Sequence, residues 1–186
     1  MVHWRRAGDL LTRMGASSEE EPIVVVGASA AGAALCKSLR ANGSRRSVIL
    51  IGAEERLPYD RPPLSKGILS GKNDWSDLQL LPPSFFDEHQ IDLHLGNPAV
   101  GVDMPARKVH LADGSAVQFG SLVVATGVRA RTLPSTVGID GVHTLRTYDD
   151  AVALSKDLAG ATSLIVVGLA SSVSRWRPRH ADSASR

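Results

Sequence analysis

Short runs of apolar residues, separated by polar and glycine-containing segments, recur along the chain. Residues 23–26 and 48–51 are β-branched or aliphatic throughout, which predicts buried strands of a parallel sheet. Residues 30–41 are rich in Ala, Leu, Lys and Arg, and Gly43 follows them, which predicts a helix with a C-terminal stop. This order of elements predicts one βαβ unit.

The pattern after this unit predicts further short elements. The Asp113-Gly114 pair is a hairpin-type turn between two of them. The predicted strands are residues 91–95, 99–102, 108–111, 116–118, 122–125 and 163–167, and the predicted helices are residues 64–69 and 149–158. We therefore expect an α/β fold of three layers with a small β-meander.

Length and composition fit a globular protein with one domain and part of a second. The chain has 186 residues, of which 43% are hydrophobic. No apolar run reaches the roughly 18 residues needed to cross a bilayer, so we expect no membrane partner. Cys36 is the one cysteine, which excludes an intramolecular disulfide, and we expect a buried, inert thiol. The histidines lack metal-ligand spacing, so no metal is expected, and a cytoplasmic location fits these features.

The charge distribution argues against a nucleic acid partner. The sequence pI is about 8.9 and the net charge is +2, which by themselves would fit nucleic acid binding. Residues 174–186 alone carry a net charge of +3, whereas residues 22–173 are neutral in sum. The basic character therefore belongs to the end of the chain and forms no binding face.

The segment Gly27-Ala28-Ser29-Ala30-Ala31-Gly32 joins the first predicted strand to the first predicted helix. The first N–H groups of a helix and its dipole favour a phosphate. Gly27 permits a tight turn, Gly32 permits close packing of helix on strand, and Ser29 stands where a small residue lets a pyrophosphate approach. The glycine spacing alone is a weak signal, and the strands on both sides strengthen it to a dinucleotide-binding site.

An acidic residue is expected to bind a ribose hydroxyl after the second strand of such a unit. Glu54 lies 22 residues after Gly32, close to the expected spacing of about 20 residues. Its neighbour Glu55 is also acidic, so the alternative is a solvated pair of surface carboxylates.

Three motifs carry a resemblance to a known family. They are Leu57-Pro58-Tyr59-Asp60-Arg61-Pro62-Pro63-Leu64-Ser65-Lys66, Leu122-Val123-Val124-Ala125-Thr126-Gly127, and Val142-His143-Thr144-Leu145-Arg146-Thr147 with Asp149-Asp150-Ala151. Over residues 22–168 the chain resembles the bacterial ferredoxin/rubredoxin reductase branch of the FAD-dependent pyridine nucleotide-disulfide oxidoreductase superfamily. The resemblance implies a Rossmann-like FAD-binding domain. It also implies electron transfer from NADH through FAD to a ferredoxin or rubredoxin, an iron–sulfur protein that supplies an oxygenase or a cytochrome P450.

The resemblance also implies which residues contact FAD. Lys66 would lie near the reactive end of the flavin and is the expected catalytic residue. Arg61 and Lys66 suit the phosphate charges and the reduced flavin. The expected FAD-binding residues are Gly27, Ser29, Ala31, Gly32, Glu54, Arg61, Lys66, Ala99, Val100, Ala125, Thr126, Gly127 and Arg146.

The chain departs from the family pattern after Gly168. A second glycine-rich turn is expected there, but the sequence continues Leu169-Ala170-Ser171-Ser172-Val173. Codons possible for residues 171–177 would encode a family-like string in another reading frame, so we expect a one-base frameshift near residue 169. The expected organisation is a flexible extension (1–21), an FAD-binding domain (22–130), the beginning of an NAD-binding Rossmann domain (131–168) and an aberrant, unstructured tail (169–186).

Such an N-terminal fragment is expected to bind FAD weakly and to be inactive alone. Two alternatives remain open: a non-enzymatic FAD- or nucleotide-binding module, and a flavin monooxygenase-type enzyme that shares only the FAD turn. Residues 58–66 and Leu145-Arg146-Thr147 argue against the monooxygenase, and the aperiodic tail argues against a complete binding module.

Overall fold

The computed structural model describes residues 21–167. The predicted N-terminal extension, except for Glu21, and the predicted tail from residue 169 lie outside the described residues. The described chain forms two compact units. The first comprises residues 21–59 and 80–127, and the second comprises residues 60–79 and 128–167.

The first unit contains two sheets and two helices. In chain order its elements are β1 (Ile23–Val26), α1 (Ala30–Ala41), β2 (Val48–Ile51), α2 (Pro83–Glu88), β3 (Ile91–His94), β4 (Ala99–Asp103), β5 (Lys108–Leu111), β6 (Ala116–Gln118) and β7 (Ser121–Val124). A parallel sheet has the strand order β3-β2-β1-β7, and an antiparallel sheet has the order β4-β5-β6. The predicted βαβ unit and meander are confirmed.

The register of the parallel sheet brings the ends of three strands to one edge. Val26 at the end of β1 is paired with Ile51 of β2 and Val124 of β7. The segments that begin at Gly27, Gly52 and Ala125 therefore leave the same edge of the sheet. In doubly wound α/β folds, ligands bind outside this carboxyl edge of the strands.

Alternate residues of the central strand β1 pack into two separate cores. Val25 joins Cys36 of α1 and Phe86 of α2 in one buried cluster. Val24 packs on the opposite face with Val109 of the small sheet in a second cluster. The first unit thus has helices on one face of the parallel sheet and the meander on the other, which confirms the predicted three layers.

The second unit contains 3-10 helices and one longer helix. Its elements are the 3-10 helices Pro62–Ser65, Ser76–Leu78 and Pro134–Thr136, and the helix α3 (Tyr148–Leu158). Thr147 caps α3: its hydroxyl accepts from the Asp150 N–H at 3.1 Å, and the Asp150 carboxylate accepts from the Thr147 N–H at 3.0 Å. This reciprocal capping box satisfies two N–H groups at the start of the helix.

Two predictions of secondary structure are corrected, and one helix was not predicted. Residues 163–167 form no strand, and the side chains of Ile165 and Val167 are 88% and 73% exposed. The helix predicted at residues 64–69 is a 3-10 turn, Pro62–Ser65, that begins at the prolines themselves. The sequence analysis missed α2, whose first residue is a proline, a position that tolerates proline because its N–H has no partner within the helix.

The described residues contain no helix that is both long and apolar enough to cross a membrane. Within the same range, no cluster of three His, Cys, Asp or Glu side chains is arranged to hold a metal ion.

Candidate dinucleotide-binding site

Glycine is the residue that the turn after β1 requires at position 27. Gly27 has a φ of +124°, which side-chain-bearing residues rarely adopt. Its N–H donates to the Ile51 carbonyl at 2.8 Å, and the Ala125 N–H donates to the Val26 carbonyl at 2.7 Å. A Cβ at residue 27 would lie well under 3.0 Å from the carbonyl group of Ala125. The backbone therefore passes between the ends of β2 and β7 with no room for a side chain.

The second glycine brings helix α1 down onto this turn. A Cβ at Gly32 would overlap the Gly27 carbonyl oxygen and would lie 3.1 Å from the Leu50 Cδ1. The start of α1 therefore lies directly over the turn. This agrees with the sequence-based interpretation that Gly32 permits close packing of helix on strand.

The first turn of α1 offers backbone donors and no competing negative charge. Ser29 is the N-cap, with an extended backbone, and its side chain makes no capping hydrogen bond. Its carbonyl accepts the first helical bond from Ala33 at 2.9 Å. The first N–H groups of a helix have no partner within the helix and carry the positive end of its dipole. Residues 30–33 contain no acid, so an anion placed there meets no carboxylate of this turn.

The segment after β2 packs against the turn as well. A Cβ at Gly52 would lie 2.7 Å from the Ala28 Cβ and 2.8 Å from the Leu95 Cδ2. The Gly52 N–H donates to the His94 carbonyl at 2.8 Å. Only a residue without a side chain fits between the turn and the end of β3, so the chain leaves β2 in contact with the turn.

Glu54 and Glu55, the two acids after β2, differ in burial. Glu54 is half-buried, whereas Glu55 is exposed. The Glu54 carbonyl accepts from the Gly96 N–H at 3.0 Å, and its carboxylate accepts from the Tyr59 hydroxyl at 2.5 Å. Glu54 is therefore partly shielded and hydrogen-bonded, and its role toward a ribose stays a prediction. The sequence analysis did not assign Tyr59 a role.

The predicted contacts on β4 and after β7 also belong to the first unit. Ala125 and Thr126 have backbone atoms against the position of a Gly27 Cβ, and Gly127 follows with a φ of +65°. Ala99 begins β4 at an irregularity in its register, and the next side chain, Val100, is 66% exposed. The first unit thus carries the residues predicted for the pyrophosphate, ribose and adenine.

The remaining predicted contacts belong to the second unit. The Arg61 Nη1 donates to the Arg146 carbonyl at 2.6 Å. Arg146 is held twice more: its Nε donates to the Val128 carbonyl at 3.2 Å, and its N–H donates to the Asp150 carboxylate at 2.8 Å. Lys66 is exposed and ends the 3-10 turn. The structure brings Arg61 and Arg146 together, and the roles of these residues toward FAD stay predictions.

The chain belongs to the pyridine nucleotide-disulphide oxidoreductase family, whose sequence model matches residues 21–170. It is 41% identical over 147 residues to rhodocoxin reductase of Rhodococcus erythropolis, covering 78% of this chain and 34% of that protein. It is 40% identical over 147 residues to a ferredoxin–NAD(P)(+) reductase of a Sphingomonas species, covering 78% of this chain and 36% of that protein.

A solved structure agrees with this assignment. The covalent putidaredoxin reductase–putidaredoxin complex matches with a TM-score of 0.71 at 33% identity, covering 74% of this chain and 34% of that chain. These relatives place the chain in the ferredoxin reductase branch of the family. The chain spans about a third of the length of these relatives.

Proposed function

We propose that the turn between β1 and α1 holds the pyrophosphate of FAD. The observation that carries the proposal is the close packing at Gly27 and Gly32, where an added Cβ would overlap backbone atoms in both cases. This packing brings the first turn of α1, with its N–H groups and positive dipole end, to the carboxyl edge of the sheet. Two phosphate groups are the chemistry that such an edge recognises.

The other predicted contacts extend this proposal along the FAD molecule. Glu54 would bind the adenosine ribose, and the backbone near Ala99 and Val100 would meet the adenine. In the second unit, Arg61, Arg146 and Lys66 would contribute positive charge, with Lys66 nearest the reactive end of the flavin. When bound, FAD supplies a centre that accepts a hydride and releases electrons singly.

We propose for the whole protein the electron transfer that its branch of the family performs. Electrons would pass from NADH through FAD to a ferredoxin or rubredoxin, which supplies an oxygenase or a P450. Supporting observations are the relatives named as a ferredoxin–NAD(P)(+) reductase and as a putidaredoxin reductase solved with putidaredoxin. Residues 22–130 would provide the FAD-binding domain and residues 131–168 the beginning of an NAD-binding domain, in a cytoplasmic protein.

Titration of the purified 186-residue chain with FAD tests the binding proposal. We expect quenching of flavin fluorescence, with a Kd of roughly micromolar strength, because a phosphate-binding turn and one carboxylate supply only part of a cofactor site. The Gly27→Ala variant should lose this binding, whereas Gly114→Ala, which meets no atom within 4 Å, should keep it. A folded wild-type chain that fails to bind FAD would contradict the proposal.

A further inference from the structure

The side chain of Glu54 is in contact with a buried tyrosine close in sequence. The Tyr59 hydroxyl donates to the Glu54 Oε2 at 2.5 Å, a short hydrogen bond of the kind that a charged acceptor gives. Tyr59 is only 2% exposed, whereas Glu54 is half-buried. A buried donor therefore reaches a carboxylate at the boundary between the protein and solvent.

The segment that carries Tyr59 is anchored to the first unit. Leu57 packs against the core cluster between the parallel sheet and its helices, and Pro58 is fully buried. The Pro58 carbonyl accepts from the Leu80 N–H at 3.1 Å. A buried ring on an anchored segment loses little further rotamer freedom when its hydroxyl binds a carboxylate.

The backbone of Glu54 is fixed independently of its side chain. The Gly96 N–H donates to its carbonyl, and Gly52 packs against Ala28 of the phosphate-binding turn. The position of the Glu54 Cα relative to the turn is therefore set by the main chain. The direction of its carboxylate is what the Tyr59 hydroxyl constrains.

We infer that Tyr59 is a positioning residue, which holds the Glu54 carboxylate in the orientation that accepts hydrogen bonds from the adenosine ribose. The inference rests on the proposed function. A carboxylate has about four acceptor sites, so accepting one bond from Tyr59 is compatible with accepting others from a ribose diol. A flexible glutamate would lose side-chain entropy when it binds ribose, and the bond from Tyr59 moves that loss to the folding step.

ADP and its 2′-deoxy and 3′-deoxy analogues test this inference on the full 186-residue chain by calorimetric titration. We expect wild type to bind ADP about tenfold more tightly than the weaker of the two analogues, since hydrogen bonds to charged groups are worth this much. In Tyr59→Phe the ratio should fall to about threefold or less, because the hydrogen bond from Tyr59 that orients the carboxylate is lost.

The ratio distinguishes positioning from general support of the fold. A variant that merely loosened the structure would weaken ADP and both analogues by the same factor and leave the ratio unchanged. Glu54→Gln should also lower the ratio between the analogue and ADP. The double variant Glu54→Gln/Tyr59→Phe should lower this ratio no further than Glu54→Gln alone. The matched control is Tyr148→Phe, which removes the hydroxyl of the only other tyrosine, in the second unit, and should keep the wild-type ratio.

A measurement that needs no Tyr59→Phe variant covers the case in which that variant fails to fold. The wild-type chain is labelled with fluorotyrosine at both tyrosines. Fluorine NMR should then show that the Tyr59 signal shifts on addition of ADP, while the Tyr148 signal stays unmoved. Two outcomes would overturn the positioning role alone. One is a Tyr59 signal that does not shift when ADP is bound. The other is a Tyr59→Phe ratio equal to that of wild type. Wild type that binds ADP and both analogues equally would overturn the inference but leave FAD binding standing. A folded chain that binds neither ADP nor FAD would overturn both.

Discussion

Gly27 and Ala125 approach so closely that the backbone of one occupies the place where a side chain of the other would begin. Gly27 follows β1 and Ala125 follows β7, and these strands are parallel neighbours in the sheet. This relationship places the end of β7 beside the candidate phosphate-binding turn. It also makes the turn intolerant of any side chain at residue 27.

Substitution of Gly27 by alanine should therefore destabilise the protein strongly. We expect Gly27→Ala to lower the free energy of unfolding by roughly 3 kcal/mol, from backbone strain at a φ of +124° together with the overlap on Ala125. Urea denaturation followed by circular dichroism measures the loss.

Gly114 provides the matched control for the overlap. Its φ is +88°, also in the region that favours glycine, but a Cβ there meets nothing within 4 Å. Gly114→Ala should lose only about 1 kcal/mol, the cost of a left-handed backbone. Equal losses in the two variants would show that the approach to Ala125 is unimportant.

The thiol of Cys36 should make stability depend on pH in the alkaline range. Burial in the helix-side core raises the pKa of Cys36 from 9.0 to about 11, and the Arg40 charge offsets this only in part. The unfolded thiol ionises first as the pH rises, while the folded thiol keeps its proton. The contribution of the protonated Cys36 thiol to the free energy of unfolding is therefore fully present below pH 9. It is lost between about pH 9 and pH 11, and the loss reaches up to ~3 kcal/mol.

Cys36→Ala isolates this contribution, because it removes the thiol and no other ionisable side chain. Denaturant midpoints measured from neutral pH to pH 11 should fall more steeply for wild type than for the variant. Thiol reagents at neutral pH should react with wild type only after denaturant is added. Parallel stability curves, or rapid labelling of the native protein, would contradict a buried thiol with a raised pKa.

The capping box of α3 predicts a further effect on stability. Thr147→Ala removes the hydroxyl that accepts from the Asp150 N–H and should lower the free energy of unfolding by about 1 kcal/mol. Thr147→Ser keeps the hydroxyl and should remain within about 0.5 kcal/mol of wild type. Urea denaturation checks both values, and a serine variant as unstable as the alanine variant would argue against the cap.

Local sequence pattern predicted the βαβ unit with the bounds that the structure shows. The apolar run 23–26 is bounded by Pro22 and Gly27. The run and its two boundary residues determine the strand through effects that extend over only a few residues. The run 163–167 has a similar composition but forms no strand. A parallel strand is stabilised by hydrogen bonds to a neighbour, and composition alone does not supply that neighbour.

Spacing along the chain predicted only the turn and the acid of the candidate site, and the other expected contacts, such as Arg61 and Lys66, came from the resemblance to the family. The distance from Gly32 to Glu54 follows from the length of a βαβ unit, so Glu54 could be predicted from the sequence as the ribose-binding acid, and that role stays a prediction. The contact between Tyr59 and Glu54 joins a buried ring to a half-buried carboxylate five residues away, next to Leu57, which packs against the core. No periodicity marks such a contact, and it became visible only in three dimensions.

Backbone amide shifts on addition of ADP provide the most direct test of the phosphate-binding turn. In an NMR titration of the isotopically labelled chain, the amide signals of residues 29–32 should move in a saturable way with ADP. They should stay in place with riboflavin, which carries no phosphate. Signals that remain unmoved with ADP, or that move equally with riboflavin, would contradict the claim that this turn holds a pyrophosphate.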